Sequence, residues 1–245
     1  MSIAANLAEL RERIAQAARR SGREPGDVAL MAVSKTHPAD SILEAIAAGQ
    51  RLFGENRVQE LAAKRDALPP EAARVVLGTS FHLIGHLQSN KAARAAELFD
   101  AVDSLDSLRL AERLNEAAAR LDRRLDALIE INIGGEAAKS GLAPDSAELL
   151  ALLDAQPKLA NLSIRGLMTV PPFTEEPEGA RPYFRRLREL RDELRRRSGL
   201  ALEELSMGMS HDFEVAIEEG STCVRIGTAI FGARSYPEAN EVRSQ

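Results

Sequence analysis

The chain has 245 residues, a length at which one large α/β core is ordinary. Hydrophobic residues make up 44% and charged residues 28%, a balance that excludes a disordered chain. A formal net charge of −5 gives no general attraction to nucleic acid or anionic membrane, and a lone cysteine, Cys223, excludes an internal disulfide and a cysteine-cluster metal site.

No apolar stretch is long enough to span a bilayer, and Glu9, Arg11, Glu12 and Arg13 interrupt the start of the chain too soon for a signal peptide. A cytoplasmic location is the expectation. Leu7, Leu10, Ile14 and Ala17 fall at helical spacing and predict an amphipathic opening helix. After it, short apolar runs near 28–34, 51–54, 81–86, 99–104, 126–133, 162–170, 204–209 and 223–231 predict strands. Helical stretches near 39–48, 57–67, 88–97, 107–120, 145–154, 178–197 and 211–219 lie between them. Several runs are apolar without alternation, as in parallel strands covered on both faces. The pattern predicts a single (β/α)8 TIM-type barrel preceded by an N-terminal helix, one domain over 1–245. An open doubly wound sheet is the second choice. Pro171, Pro172 and Pro177 mark a loop rather than a domain boundary.

Chemistry in such a barrel belongs at the C-terminal ends of the strands. Those ends read Lys35, Glu55-Asn56, His86, Asp103-Ser104, Asn132, Met168-Thr169, Ser206 with Ser210, and Arg225 with Gly227-Thr228. Lys35 closes the run Val28 to Ser34, and an amine at the mouth of a buried strand loses hydration. That favours its neutral, nucleophilic form, able to condense with an aldehyde. A solvated lysine capping the strand is the plain alternative. Strand seven runs through Gly208 into Ser210 before a helix, and strand eight contains Arg225, Gly227 and Thr228. Glycines that admit close backbone approach, beside two hydroxyls, suit a phosphate held by the last two loops of a barrel. Ser210 as a helix cap and Gly227 as a packing glycine are the structural alternatives. Strands one and eight are neighbours in a closed barrel. A ligand with an aldehyde and a phosphate on one flat ring would bridge them, which describes pyridoxal 5′-phosphate.

Several blocks carry a wider likeness: Ala32 to Lys35, Phe53 to Asn56 with Val58-Gln59-Glu60, and His82 to Lys91. Lys139 to Leu142, Arg165 to Met168, Leu205 to Ser210, and Gly220 to Arg234 continue it. Together, in this order, they resemble the YggS/PROSC family of pyridoxal phosphate homeostasis proteins over nearly the whole chain. The resemblance implies the barrel fold of the alanine racemase N-terminal domain and the cofactor held as a Schiff base on Lys35. It also implies Ser210, Gly227 and Thr228 at the phosphate, Arg225 beside the pyridine nitrogen and Asn56 near the ring. Arg57, Phe81 and His211 stand where this family more often has Tyr, Trp and Asp. An arginine beside the ring nitrogen opposes its protonation and makes the ring a poor electron sink. A structural alternative pairs Arg225 with Glu55 or Asp103.

Related alanine racemases draw a second acid/base tyrosine from an additional β domain. About a dozen residues follow the eighth predicted strand, too few for a domain. The tyrosines are Tyr183, on a predicted helix, and Tyr236 in the tail. The expectation is therefore a carrier or buffer of pyridoxal phosphate without catalytic residues, and a monomer. Apo forms of enzymes that use this cofactor are the recipients such a role implies. A small amino-acid racemase and a Schiff-base aldolase for sugar phosphates are the alternatives. The histidines lie on different loops with no metal spacing. His86 reads as a hydrogen-bonded structural histidine, Lys139 as a solvated loop lysine, and Arg181 to Arg197 as an outer helix facing water.

Overall fold

The computed structural model describes residues 2–69, 72, 76–136 and 138–232. Its strands are β1 (Ala29–Val33), β2 (Leu52–Glu55), β3 (Ser80–Leu83), β4 (Ala101–Leu105), β5 (Leu125–Glu130), β6 (Leu162–Met168), β7 (Glu204–Ser206) and β8 (Cys223–Ile226). All pair in parallel in chain order, and β1 closes onto β8 with Met31 opposite Arg225. The ring is therefore a closed eight-stranded barrel, not an open sheet.

Alternation along each strand sorts the side chains. Ala32, Phe53, Phe81, Val102, Ile129, Leu205, Val224 and Ile226 face outward into one continuous core beneath the helices. Met31, His82, Asp103, Glu130, Ser206 and Arg225 take the opposite parity and fill the interior. Gly54 belongs to that inner set, because a Cβ there would lie 2.8 Å from the Met31 sulfur.

The outer ring begins with α1 (Ile3–Arg20), capped by the Ser2 hydroxyl, which accepts from the Ala5 N–H. Its buried stripe of Leu7, Leu10, Ile14, Ala17 and Ala18 follows the predicted spacing. Then come α2 (Ala39–Ala47), α3 (Val58–Asp66), α4 (Ala92–Leu98), α5 (Leu108–Arg120) and α6 (Ala147–Ala155). The ring ends with α7 (Arg181–Ser198), α8 (Phe213–Glu218) and α9 (Thr228–Phe231). The stripe on α5 buries Leu110, Ala111, Leu114, Ala117 and Ala118, and each fully buried leucine contributes about 1.5–3 kcal/mol. On α7, Phe184, Leu187 and Leu194 are buried, while Arg181, Arg185 and Arg188 converge on the buried Glu219 carboxylate at 3.0–3.2 Å. That arginine-rich stretch is an outer helix tied to the turn after α8.

Several boundaries differ from expectation. The run read as a strand over 223–231 stops at Ile226, and Thr228–Phe231 turns into α9. The helix expected from residue 211 starts at Phe213, with Asp212 as its N-cap. The predicted strands ending at 86, 133, 170 and 209 end at Leu83, Glu130, Met168 and Ser206. Beyond these four strand ends single backbone bonds carry the ladder one residue on, as from the Ile131 N–H to the Met168 carbonyl, and the residues after them build the mouth of the barrel.

Candidate functional site

At the β1–β2 rim the chain leaves the sheet after Val33. The Ser34 N–H still donates to the Gly54 carbonyl at 3.1 Å, and the His37 N–H closes a turn onto the Ser34 carbonyl at 3.1 Å. Lys35 and Thr36 are the central residues of that turn. Thr36 has φ +66°, the left-handed region, which costs a β-branched residue about 1–3 kcal/mol unless its surroundings hold it. Three charged side chains do so. Lys64, from α3, donates to Glu55 Oε1 at 2.6 Å, to the Ser34 carbonyl at 2.8 Å and to Glu60 Oε1 at 2.9 Å. Glu55 also accepts from the Ser34 hydroxyl at 2.6 Å, and Glu60 accepts from the Thr36 N–H. Burial pushes the Glu55 carboxyl up, against the pull of Lys64. For Glu60 burial pushes the same way, but the hydrogen bonds from Lys64 and Thr36 win and hold it down.

The β7–β8 rim is built differently. Gly208 has φ +94°, and a Cβ there would lie 2.6 Å from that of Ala216, so only glycine fits. Its carbonyl accepts from the Arg225 N–H at 3.0 Å, and Asp212 accepts from the Met209 N–H at 2.7 Å, which fixes the loop carrying Ser210. Arg225 is 4% exposed. Its guanidinium donates to the Ser206 hydroxyl at 2.7 Å and to the Thr169 carbonyl at 2.8 Å. Burial pushes its pKa down, while Asp103, Asp212 and Glu130 pull it up from beyond contact distance. The expected alternative partners are engaged elsewhere: Glu55 with Lys64, and Asp103 with His82 at 3.0 Å.

The two rims touch. A Cβ on Gly227 would lie 3.1 Å from the Val33 carbonyl oxygen, so the backbone opening α9 rests against the end of β1. The His37 ring packs on Phe231 of α9 at 5.0 Å. Lys35, half-buried, thus leaves the sheet two residues past the strand end that Gly227 abuts, with exposed Thr228 next in line. Asn56, also half-buried, follows β2 and lines a cavity of about 340 Å³ with Ile84, His86, Glu130, Asn132 and Lys139. Gly85 holds Asn56 in place by close backbone approach: a Cβ there would lie 2.4 Å from the Asn56 carbonyl oxygen.

Residues 5–235 match the family described as "Alanine racemase, N-terminal domain". The chain belongs to this family. Among its relatives, the "Pyridoxal phosphate homeostasis protein" of Aquifex aeolicus is 45% identical over 236 residues, covering 96% of this chain and 100% of the relative. The protein of the same name from Escherichia coli K12 is 46% identical over 239 residues, covering 96% and 97%. The solved structure of PipY from Synechococcus elongatus with PLP bound superposes with a TM-score of 0.80. It is 41% identical, over 94% of this chain and 100% of that one. An alanine racemase of Clostridium difficile matches at TM-score 0.69 with 14% identity, covering 58% of that chain, a likeness of fold alone.

The other candidate residues have partners within the fold. His86 lies beyond the end of β3 and pairs with Asp106 at 2.9 Å. Lys139 donates to the Pro171 carbonyl at 3.0 Å and pairs with Glu136, pinning the loop after β5 to the loop after β6. Cys223 is buried, and burial pushes its thiol up to about 12, so it packs rather than reacts. No three His, Cys, Asp or Glu among the described residues are grouped to hold a metal ion. Among those residues no helix is long and apolar enough to cross a membrane. Tyr236 and Arg234 lie outside the described residues. Sequence reasoning missed Lys64, Glu60 and Ser34. The signal available was the spacing of Glu60 and Lys64, four apart on one helix face directly after the Phe53-Gly54-Glu55-Asn56 block.

Proposed function

We propose that the protein binds pyridoxal 5′-phosphate, holds it covalently through Lys35, and serves the homeostasis of that cofactor as a carrier or buffer rather than as an enzyme. The observation that carries this reading is the contact of Gly227 with the end of β1, which brings an anion cradle within one small molecule of the lysine turn. The residues present fit the group. Gly227 lets the backbone that opens α9 pack against the end of β1, and Ser210 and Thr228 beside it would supply hydroxyls to a phosphate. Arg225, already held by two neutral acceptors, would direct a cation at the ring nitrogen and keep a proton off that atom. Asn56, which lines the cavity at the mouth, would flank the ring. When bound, the cofactor supplies an aldehyde that bonds reversibly to an amine.

Two features support a carrier over a racemase. A ring nitrogen kept unprotonated by Arg225 draws electrons poorly, which handicaps carbanion chemistry. Tyr183, the one tyrosine among the described residues, sits on α7 and packs against the outer core. The naming of relatives that are 41–47% identical supports the homeostasis role, as does the PipY structure with PLP bound. Enzymes that depend on this cofactor are the recipients of a carrier, and a cytoplasmic location follows from serving them.

The test is an absorption spectrum of the purified protein with pyridoxal 5′-phosphate, before and after borohydride, followed by peptide mass mapping. A visible band that borohydride fixes as a pyridoxyl mass on the Lys35 peptide is the expected result. A colourless protein, or a label confined to another lysine, overturns the assignment. Rapid loss of chirality in L- or D-alanine incubated with the loaded protein overturns the non-catalytic role.

A further inference from the structure

We infer that Lys64, held by Glu55 and Glu60, is a positioning residue for Lys35: the three side chains clamp the backbone on both sides of the reactive amine and set the angle at which it enters the mouth. The inference rests on the reading of Lys35 given above. The cluster is aimed with unusual economy. Lys64 and the Ser34 hydroxyl bring Glu55 onto the residue before Lys35, and Lys64 itself binds that residue's carbonyl. Glu60, bonded to the same ammonium, binds the N–H of the residue after it. The segment so held is a turn whose Thr36 occupies the left-handed region, a conformation a threonine abandons when released.

A buried ion pair is weak ground for stability, since desolvation offsets most of its attraction, and fixing one geometry is its better-attested use. Lys64 side-chain exposure is 10% and that of Glu55 is 0%, so this pair is desolvated on that scale, with Glu60 at 23% on its outer side. It encloses a single residue, and that residue is the amine. A flexible root would let the amine sample orientations in which no bond forms, and misplacement of this kind slows capture steeply.

The experiment compares wild type with Lys64→Met/Glu55→Gln, which removes the cation without stranding a buried carboxylate, and with Glu60→Gln. Two quantities are read: the rate of capture of pyridoxal 5′-phosphate, followed by the visible band, and the dissociation constant for pyridoxamine 5′-phosphate. The second ligand has the ring and phosphate but no aldehyde. The double variant is expected to slow capture by about tenfold or more, while binding of the amine analogue stays within about twofold. Should the double variant fail to fold, Glu60→Gln alone carries the test, with slowing of about threefold. Capture unchanged in both variants, or capture and analogue binding falling in parallel, overturns the clamp. A wild-type protein that captures no aldehyde overturns the Lys35 reading and the clamp together.

Discussion

The two rims that meet at the barrel mouth are built on opposite electrical plans. On the β1–β2 side, Lys64 meets Glu55 at 2.6 Å and Glu60 at 2.9 Å, and the cluster ends in backbone atoms of the turn it holds. On the β7–β8 side, Arg225 is equally buried, but its hydrogen bonds go to a neutral hydroxyl and a neutral carbonyl. An ion cluster that answers its own charges works as an anchor and asks nothing of a ligand. A buried cation whose hydrogen bonds go to neutral groups has no carboxylate in contact, and Asp103, Asp212 and Glu130 act on it only from farther off. On the proposed reading that difference divides the work: one rim would fix the covalent bond, and the other would receive an anion and a ring nitrogen.

The sharpest way to break that division is Lys35→Ala. It should remove the visible band completely and leave phosphate-dependent, non-covalent binding measurable by equilibrium dialysis. A band that survives, fixable by borohydride, would place the covalent bond elsewhere. Gly227→Ala comes next. Its new Cβ meets the Val33 carbonyl oxygen at 3.1 Å, tighter than ordinary contact, so the cradle is pushed off the anchor. Affinity for pyridoxal 5′-phosphate should fall by about tenfold, with pyridoxal, which lacks the phosphate, much less affected. Equal losses for both ligands would show that the rims do not divide the work. Ser210→Ala should cost about 1 kcal/mol, or roughly fivefold in the dissociation constant, again only for the phosphorylated ligand.

The barrel itself was legible because buried parallel strands and amphipathic helices alternate along the chain, a pattern set by local periodicity. The positions of Lys35 and Gly227 were legible for a related reason: each interrupts an apolar run where a strand reaches the mouth. Strand ends were overrun, most visibly at Ala229-Ile230-Phe231. Ile230 is fully buried and continues the apolar run of β8, and a run that short carries no period that separates strand from helix. Lys64 was invisible for the opposite reason. A lysine four residues after a glutamate reads as a solvated helix pair, and only the tertiary approach of α3 to the turn after β1 makes it a buried clamp. The partners of Arg225 were unreadable too, since Glu55 and Asp103 are taken up by Lys64 and His82 through contacts distant in sequence.

The smallest expected effect tests whether Arg225 is truly unanswered. Glu130 lies on β5, 8% exposed, with Oε1 accepting from the Ser140 hydroxyl at 3.0 Å and Oε2 buried without a hydrogen bond. Burial pushes its carboxyl up; the Ser140 bond pulls it down, Asp106 pushes it up again, and Arg225 and His86 pull it down. Burial prevails, so folding favours the protonated form. A carboxyl whose folded pKa exceeds the unfolded value of about 4.3 lends its full stability below that value and loses it as pH rises through the folded pKa. Glutamine keeps the shape without the ionisation. Glu130→Gln should therefore be the more stable protein near neutral pH, by less than about 1 kcal/mol, and the gap should close toward pH ~4. Urea denaturation at the two pH values measures it. A variant less stable than wild type near neutral pH would mean that the guanidinium already matches this carboxylate across the barrel. The cation would then have a partner, and the contrast between the rims would lose its basis.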